Sequence, residues 1–230
     1  LEKIFEGVRL EEDYSPKIKD LVLAQGELLA VKSVAFLLQQ QGIQCLSVDS
    51  RNLLVTDSKF GSAHIIEDLS AKKTQEYFNN FLPGILPIVT GFIASDKKGN
   101  TTTLGRNGSN YSAALLAKYL NASEFQNYTH VDGIYTANPE LVEDARILDH
   151  ISYQEANELA SFGASILHAK TIVPLLENII PLRILNTFNT NSLGTLISNN
   201  TPNKGVKSIS VQKDVSIINL EGKGLLGKTG

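Results

Sequence analysis

Between residues 85 and 120 three local signals follow one another in an order that few folds accept. Residues 85–93 are largely apolar and rich in β-branched side chains, where a half-exposed strand would alternate, so they predict a buried parallel strand. A polar loop at 95–100 and a short extended stretch at 101–104 lead into Gly105-Arg106-Asn107-Gly108-Ser109-Asn110. An Ala- and Leu-rich helix is then expected over 111–120. A strand feeding a glycine-rich loop and a helix points to an α/β domain whose ligand sits at the helix N-terminus, where free N–H groups and the helix dipole favour phosphate or carboxylate.

The flanking sequence continues the alternation. Ser15 followed by Pro16 reads as an N-cap and first helical residue, with apolar positions at helical spacing as far as Leu38 and Gly42 as the stop. Strands are expected at 45–48 and 52–56, then a helix capped by Ser70 that carries Tyr77, Phe78 and Phe81. Further on, strands are expected at 128–131, 181–185 and 195–198, a turn at Asp132-Gly133, and helices at 153–160 and 169–177. Residues 199–205 have the composition of a linker, and 206–211 and 215–220 read as strands of a new unit.

Composition removes several classes of function. A net charge of −3 provides no basic footprint for nucleic acid or an anionic membrane. The longest apolar stretch, 81–94, is broken by Pro83, Gly84 and Pro87 and is shorter than the roughly 20 residues of a bilayer span. The single cysteine, Cys45, allows no internal disulfide and reads as a core residue. His64, His130, His150 and His168 show no paired spacing, so no metal site is expected. No membrane, no nucleic acid and a cytoplasmic location are the expectations. The chain has no methionine and opens Leu1-Glu2-Lys3-Ile4, which suggests an excerpt from a longer protein.

Two loops could cradle phosphate. In the loop at 105–110, Gly105 and Gly108 permit close backbone approach. Arg106 could grip a carboxylate through two parallel hydrogen bonds, and Ser109 could cap the helix or donate to a ligand. Residues 222–229, GKGLLGKT, fit the P-loop pattern letter for letter after an apolar strand. A P-loop NTPase beginning near residue 215 is therefore one reading, although a P-loop also needs a later acidic strand.

The stretch TTTLGRNGSNYSAALLAKYL at 101–120 closely resembles the aspartate kinase family of the amino-acid kinase superfamily. The likeness continues in order through SPKIKDLVLAQGELL at 15–29, VTGFIA at 89–94, VDGIYTANP at 131–139, FGASILH at 162–168, and the NTFN and GTLI elements within 180–197. The arrangement is most like the kinase half of the bifunctional aspartate kinase–homoserine dehydrogenases. The resemblance implies an open, mainly parallel sheet between helical layers, with ATP and L-aspartate at the carboxyl ends of the strands. It implies transfer of the γ-phosphoryl group to the β-carboxylate of aspartate, with magnesium, and a homo-oligomer.

Position by position, the resemblance gives Glu27 the substrate's amino group and Arg106 its α-carboxylate. Phe92 and Thr103 line the aspartate pocket, and Ser109 and Asn110 lie beside the reacting carboxylate, Asn110 as the catalytic position. Gly105, Gly108, Thr129, His130, Tyr135, Glu140 and Ser165 fall to the nucleotide, with Lys170 able to reach in. Four positions depart from the family pattern: Asn110 and His130 where Asp is usual, Glu140 where Arg is frequent, and Ser165 where Lys is frequent. The last two remove positive charge from the nucleotide side, so a non-catalytic, ligand-binding relative is the second reading. Family members begin with a strand and a Lys-Phe-Gly-Gly loop that this sequence lacks, so the segment alone is expected not to turn over. Domains are expected at 1–198 (kinase), 199–205 (linker) and 206–230, the start of an ACT (βαββαβ) regulatory domain that binds an amino-acid feedback effector.

Overall fold

The computed structural model describes residues 2–11, 14–161, 169–199 and 205–211. Helix α1 (Glu2–Glu11) precedes α2 (Pro16–Gln40), which Ser15 opens as expected: its Oγ accepts the Ile18 N–H at 3.3 Å, and Pro16 takes the first helical position. Gly42 follows the C-terminus with φ +80°, the left-handed turn that ends a helix. The chain continues through β1 (Cys45–Val48), a 3-10 turn (Ser50–Asn52), β2 (Val55–Thr56) and α3 (Glu67–Asn79). Then come β3 (Leu86–Val89), β4 (Ile93–Asp96), β5 (Thr101–Thr103), α4 (Gly108–Tyr119) and β6 (Phe125–Thr129). The last elements are β7 (His150–Ser152), α5 (Tyr153–Ser161), α6 (Ala169–Glu177), β8 (Leu182–Asn186) and β9 (Thr195–Ser198).

Parallel pairing dominates, as the alternation implied. β1 pairs with β3, β2 with β4, β6 with β8 and β7 with β9, all parallel, whereas β4–β5 and β8–β9 are antiparallel. Among the described residues the strands form three ladders, β1-β3, β2-β4-β5 and β6-β8-β9-β7, in place of one open sheet.

Several expectations are corrected. The run 85–93 is two strands, because the backbone turns out of the β region at Phe92, which has φ +67°. Ser70 does not cap α3. It lies buried inside the helix, its Oγ accepting the Val55 N–H and donating to the Val55 carbonyl, so a polar side chain welds α3 to β2. α4 starts at Gly108, three residues before the apolar pattern becomes readable, and β6 lies earlier than 128–131. Residues 205–211 form no strand, although Ile209 donates its N–H to Thr136 O at 2.9 Å. The 215–220 stretch, the 222–229 loop, His168, Ser165 and the rest of 162–168 lie outside the described residues.

Two hydrophobic cores flank α4. The first joins Val48, Leu53, Leu54, Ala94 and Leu104 to Leu115 and Tyr119 of α4. The second joins Phe125, Ile151, Ile172, Leu175, Leu182, Ile184 and Ile197 to Ala114 and Ala117. Residues 115 and 119 share one face of the helix and 114 and 117 another, so α4 is buried on both sides. At its far end Lys118 Nζ bonds Glu67 of α3 and Glu177 of α6 at 2.5 and 2.6 Å, tying both halves to α4. Cys45 is buried, as expected, with its thiol toward the Ala35 carbonyl. α2 is long and apolar enough to cross a membrane on length and composition alone, which the sequence reading did not anticipate. Here it packs against β1, β3 and β5 as a layer of the α/β fold.

Candidate active site

A cavity of about 620 Å³ opens where α2, the turn at Phe92, the end of β5 and the first turn of α4 meet. α2 contributes Lys19, Asp20, Leu23 and Glu27, the spacing of one helix face. The opposite wall is the loop 105–110. The structure therefore brings together Glu27, Phe92, Thr103, Arg106, Ser109 and Asn110, and it places Gly105 and Gly108, assigned above to the nucleotide, among these residues.

Local forces fix each wall. Phe92 is held in its left-handed conformation by the Ser112 Oγ, which accepts its N–H at 3.0 Å, and by the Leu104 N–H, which donates to its carbonyl at 2.9 Å. Strain of this kind persists only where surroundings over-determine it. Gly91 and Gly108 permit the contact: a Cβ on Gly91 would lie 2.9 Å from Ser109 Cα, and one on Gly108 would lie 2.7 Å from the Phe92 ring. The helix N-cap is Asn107, itself left-handed (φ +57°) and without a side-chain cap bond. Ser109 stands two residues past the cap and so does not fill that role; with Asn110 it presents first-turn N–H groups that have no intrahelical acceptor.

The electrostatics are complementary across the cavity. Arg106 is exposed and makes no ion pair or hydrogen bond with a described residue, leaving its five donors to a ligand. Partial burial pushes the Glu27 carboxyl up from its ordinary value, and no described cation offsets this. Asp20 is fully buried, and its carboxylate accepts three donors: the Gly61 N–H at 2.8 Å, the Thr103 N–H at 3.0 Å and the Thr103 hydroxyl at 2.8 Å. Asp20 and Lys19 escaped the sequence reading, although Asp20 lies two helical turns before Glu27 on the same face.

None of the other described residues assigned to the nucleotide lines this cavity: Thr129, His130, Tyr135 and Glu140 lie at the carboxyl end of β6 and in the loop after it, and Lys170 lies on α6. Thr129 ends the strand, and its carbonyl accepts the Thr187 N–H at 2.8 Å. His130 is exposed beside it. Tyr135 pairs with Ile147 across the following loop, and burial together with the Asp132 charge pushes its hydroxyl pKa up. Glu140 is exposed, its N–H donated to Asn138 Oδ1. Lys170 is exposed on α6. Asp132 organises the loop: Asn186 and Asn189 donate to its carboxylate at 2.6 and 3.0 Å, and Ser192 to its carbonyl at 3.1 Å.

Parallel βα units place a polar cavity at a helix N-terminus, with a guanidinium on one wall and a carboxylate on the other, neither of them ion-paired among the described residues, the architecture of an α/β protein with a pocket of small-molecule size. Residues 4–186 match the Amino acid kinase family, and the chain belongs to it. It is 33% identical over 236 residues to the chloroplastic bifunctional aspartokinase/homoserine dehydrogenase 1 of Zea mays, a match that covers all of this chain and 26% of that protein. It is 34% identical over 221 residues to the lysine-sensitive aspartokinase 3 of Escherichia coli K12, covering 94% of this chain and 48% of the relative. The chain thus spans about a quarter to a half of the length of these relatives. The crystal structure of E. coli aspartokinase III in complex with aspartate and ADP superposes with a TM-score of 0.76 at 36% identity, over 88% of this chain and 46% of that one. The lysine and aspartate complex of the same enzyme gives 0.79 at 35%, with the same coverage. The fold is accordingly the amino-acid kinase fold.

Proposed function

We propose that this chain forms the substrate-binding part of an aspartate kinase, which transfers the γ-phosphoryl group of ATP to the β-carboxylate of L-aspartate. The observation that carries the reading is the cavity at the start of α4, where Glu27 and Arg106 face a common space with no partner among the described residues. The likeness to an enzyme solved with aspartate and ADP supports it.

In this reading Arg106 binds the α-carboxylate through two parallel hydrogen bonds. Glu27 takes the ammonium group, whose charge offsets the burial that raises its pKa. The β-carboxylate then lies at the first turn of α4, beside Ser109 and Asn110. Helix N–H groups there stabilise negative charge as the new P–O bond forms and the bond to the ADP oxygen breaks. Asn110, being neutral, positions by hydrogen bonding and contributes no charge. Positioning and charge neutralisation are what phosphoryl transfer asks of a protein. The nucleotide belongs at the end of β6, among Thr129, His130, Tyr135 and Glu140, with Lys170 supplying a positive charge. Magnesium is expected with the nucleotide phosphates. No cluster of three His, Cys, Asp or Glu that could hold a metal ion occurs among the described residues, and magnesium commonly needs only one or two carboxylates beside the phosphates it accompanies.

We read residues 206–230 as the start of an ACT domain that takes an amino-acid effector, after a kinase domain at 1–198 and a linker at 199–205, in a homo-oligomer of the cytoplasm. An E. coli relative is solved with lysine as well as aspartate. The test is titration of the full-length protein with magnesium-ATP and with L-aspartate, followed by an assay for phosphorylated aspartate. Binding of both with turnover is expected, and absence of ATP binding would sink the kinase reading. Lys170→Ala is expected to raise the ATP KM while leaving the aspartate KM unchanged.

A further inference from the structure

Asp20 belongs to no motif position that the function uses, yet it is the fully buried carboxylate at the centre of the cavity wall. No ion pair to Asp20 is formed within the described residues; its three partners are neutral donors. Burying a carboxylate this way is unfavourable unless its hydrogen bonds are satisfied, so the arrangement is specific. Two of the three bonds go to Thr103 and one to the loop at Gly61, which packs against the Gly105 backbone. One side chain of α2 therefore ties that helix to two other elements of the wall, β5 and the loop at Gly61.

The bond to the Thr103 hydroxyl has a chemical consequence. Asp20 Oδ1 accepts from the Thr103 hydroxyl, so the Thr103 Oγ–H points at Asp20 and the hydroxyl has only lone pairs left to offer. An oxygen in this state receives an N–H from an ammonium group and repels a carboxylate oxygen. Thr103 itself lines the cavity, between α2 with Glu27 and the loop with Arg106.

We propose that Asp20 is a positioning residue that, by claiming the Thr103 hydroxyl proton, makes Thr103 an obligate acceptor and so selects substrates that carry an ammonium group over their deaminated analogues. The proposal rests on the reading that the cavity binds L-aspartate. Asp20 touches no substrate atom in this scheme. It acts through Thr103, and Glu27 supplies the charge that Thr103 complements.

The test uses the full-length protein and two ligands, L-aspartate and succinate, which lacks the amino group. In Asp20→Asn the aspartate KM is expected to rise about tenfold or more and the preference for aspartate over succinate to fall by a similar factor, with the ATP KM within about twofold of wild type. Thr103→Val should reproduce both changes, Thr103→Ser should restore the preference, and the double variant should be no worse than either single one, because both remove the same contact. A preference unchanged in Asp20→Asn, or effects that multiply in the double variant, overturns the proposal. If Asp20→Asn fails to fold, Thr103→Val decides: an unchanged preference overturns it and a collapsed one supports it. A wild-type protein that does not bind L-aspartate refutes the substrate reading, whereas one that binds it with these variants inert refutes only the role of Asp20.

Discussion

The half of the molecule that carries the cavity at the start of α4 and the half that carries the β6 loop are built by different means. Around the cavity the interior is threaded with polar groups. Ser50 Oγ bonds Thr90 Oγ1 and the Ile93 carbonyl, both at 2.7 Å; Arg51 links Asp49 to Thr101; and Thr56 pairs with Thr102. Around β6, β8, β9 and β7 the interior is chiefly aliphatic, and among the described residues its buried polar side chains are Asn127, Thr171 and Thr195. Hydrogen bonds contribute modest net stability but fix direction, while apolar burial contributes stability with little directional demand. Under the proposed function, the polar half orients the small substrate and the aliphatic half supports the loop assigned to the nucleotide.

The contrast can be broken in order of size. Leu182→Ala, in the aliphatic half, is expected to lower stability by about 2–5 kcal/mol, read by denaturant unfolding, while aspartate affinity of the folded protein stays unchanged. Arg106→Ala should do the reverse: a loss of about 2–3 kcal/mol in aspartate binding by titration calorimetry, with no change in Tm, since the side chain is exposed and unpartnered among the described residues. Ser50→Ala should affect both quantities, by about 1–3 kcal/mol in stability, because the Ile93 carbonyl and the Thr90 hydroxyl lose their partner just behind Phe92.

The smallest effect is expected in acid. Burial pushes the Asp96 carboxyl up, but the side chain and backbone N–H of Asn100, the Ser58 hydroxyl and the Lys98 N–H outweigh it and hold the pKa at about 2, below the ordinary 3.8. A depressed folded pKa contributes stability that is present above the unfolded value and is lost as pH falls toward about 2. Asp96→Asn should flatten that part of the stability profile, measured by Tm between pH 4 and pH 2, and leave the profile near neutrality parallel to wild type.

Much of the architecture could be read from local signals. Ser15-Pro16 starts α2, and β1, α6 and β9 lie where their patterns put them. What escaped depended on tertiary contacts. The 85–93 run is continuous in hydropathy, but Gly91 and Phe92 must turn so that the first turn of α4 can approach, and no periodicity encodes that approach. Ser70 has the composition of a cap and the job of a cross-link to Val55. Glu27, Phe92, Thr103, Arg106, Ser109 and Asn110 are legible because they fall in three short motifs, at 15–29, 89–94 and 101–120, whereas the role of Asp20 is not, because its partners, Gly61 and Thr103, are 41 and 83 residues away in sequence. The residues around β6 were named by resemblance, and the structure places those described along one strand end and its loop, with Lys170 on α6, without gathering them into the same cavity.

Because α4 is shared by both interiors, its neighbouring residues answer to different masters: Ala114 and Ala117 to one core, Leu115 and Tyr119 to the other. Lys118 pins its far end to α3 and α6 together. The helix is thus the axle on which the two halves are mounted, and its other end forms the floor of the cavity. A substitution that shifts α4 within either core would therefore move Ser109 and Asn110 with it, although neither core contains a cavity residue among the described residues.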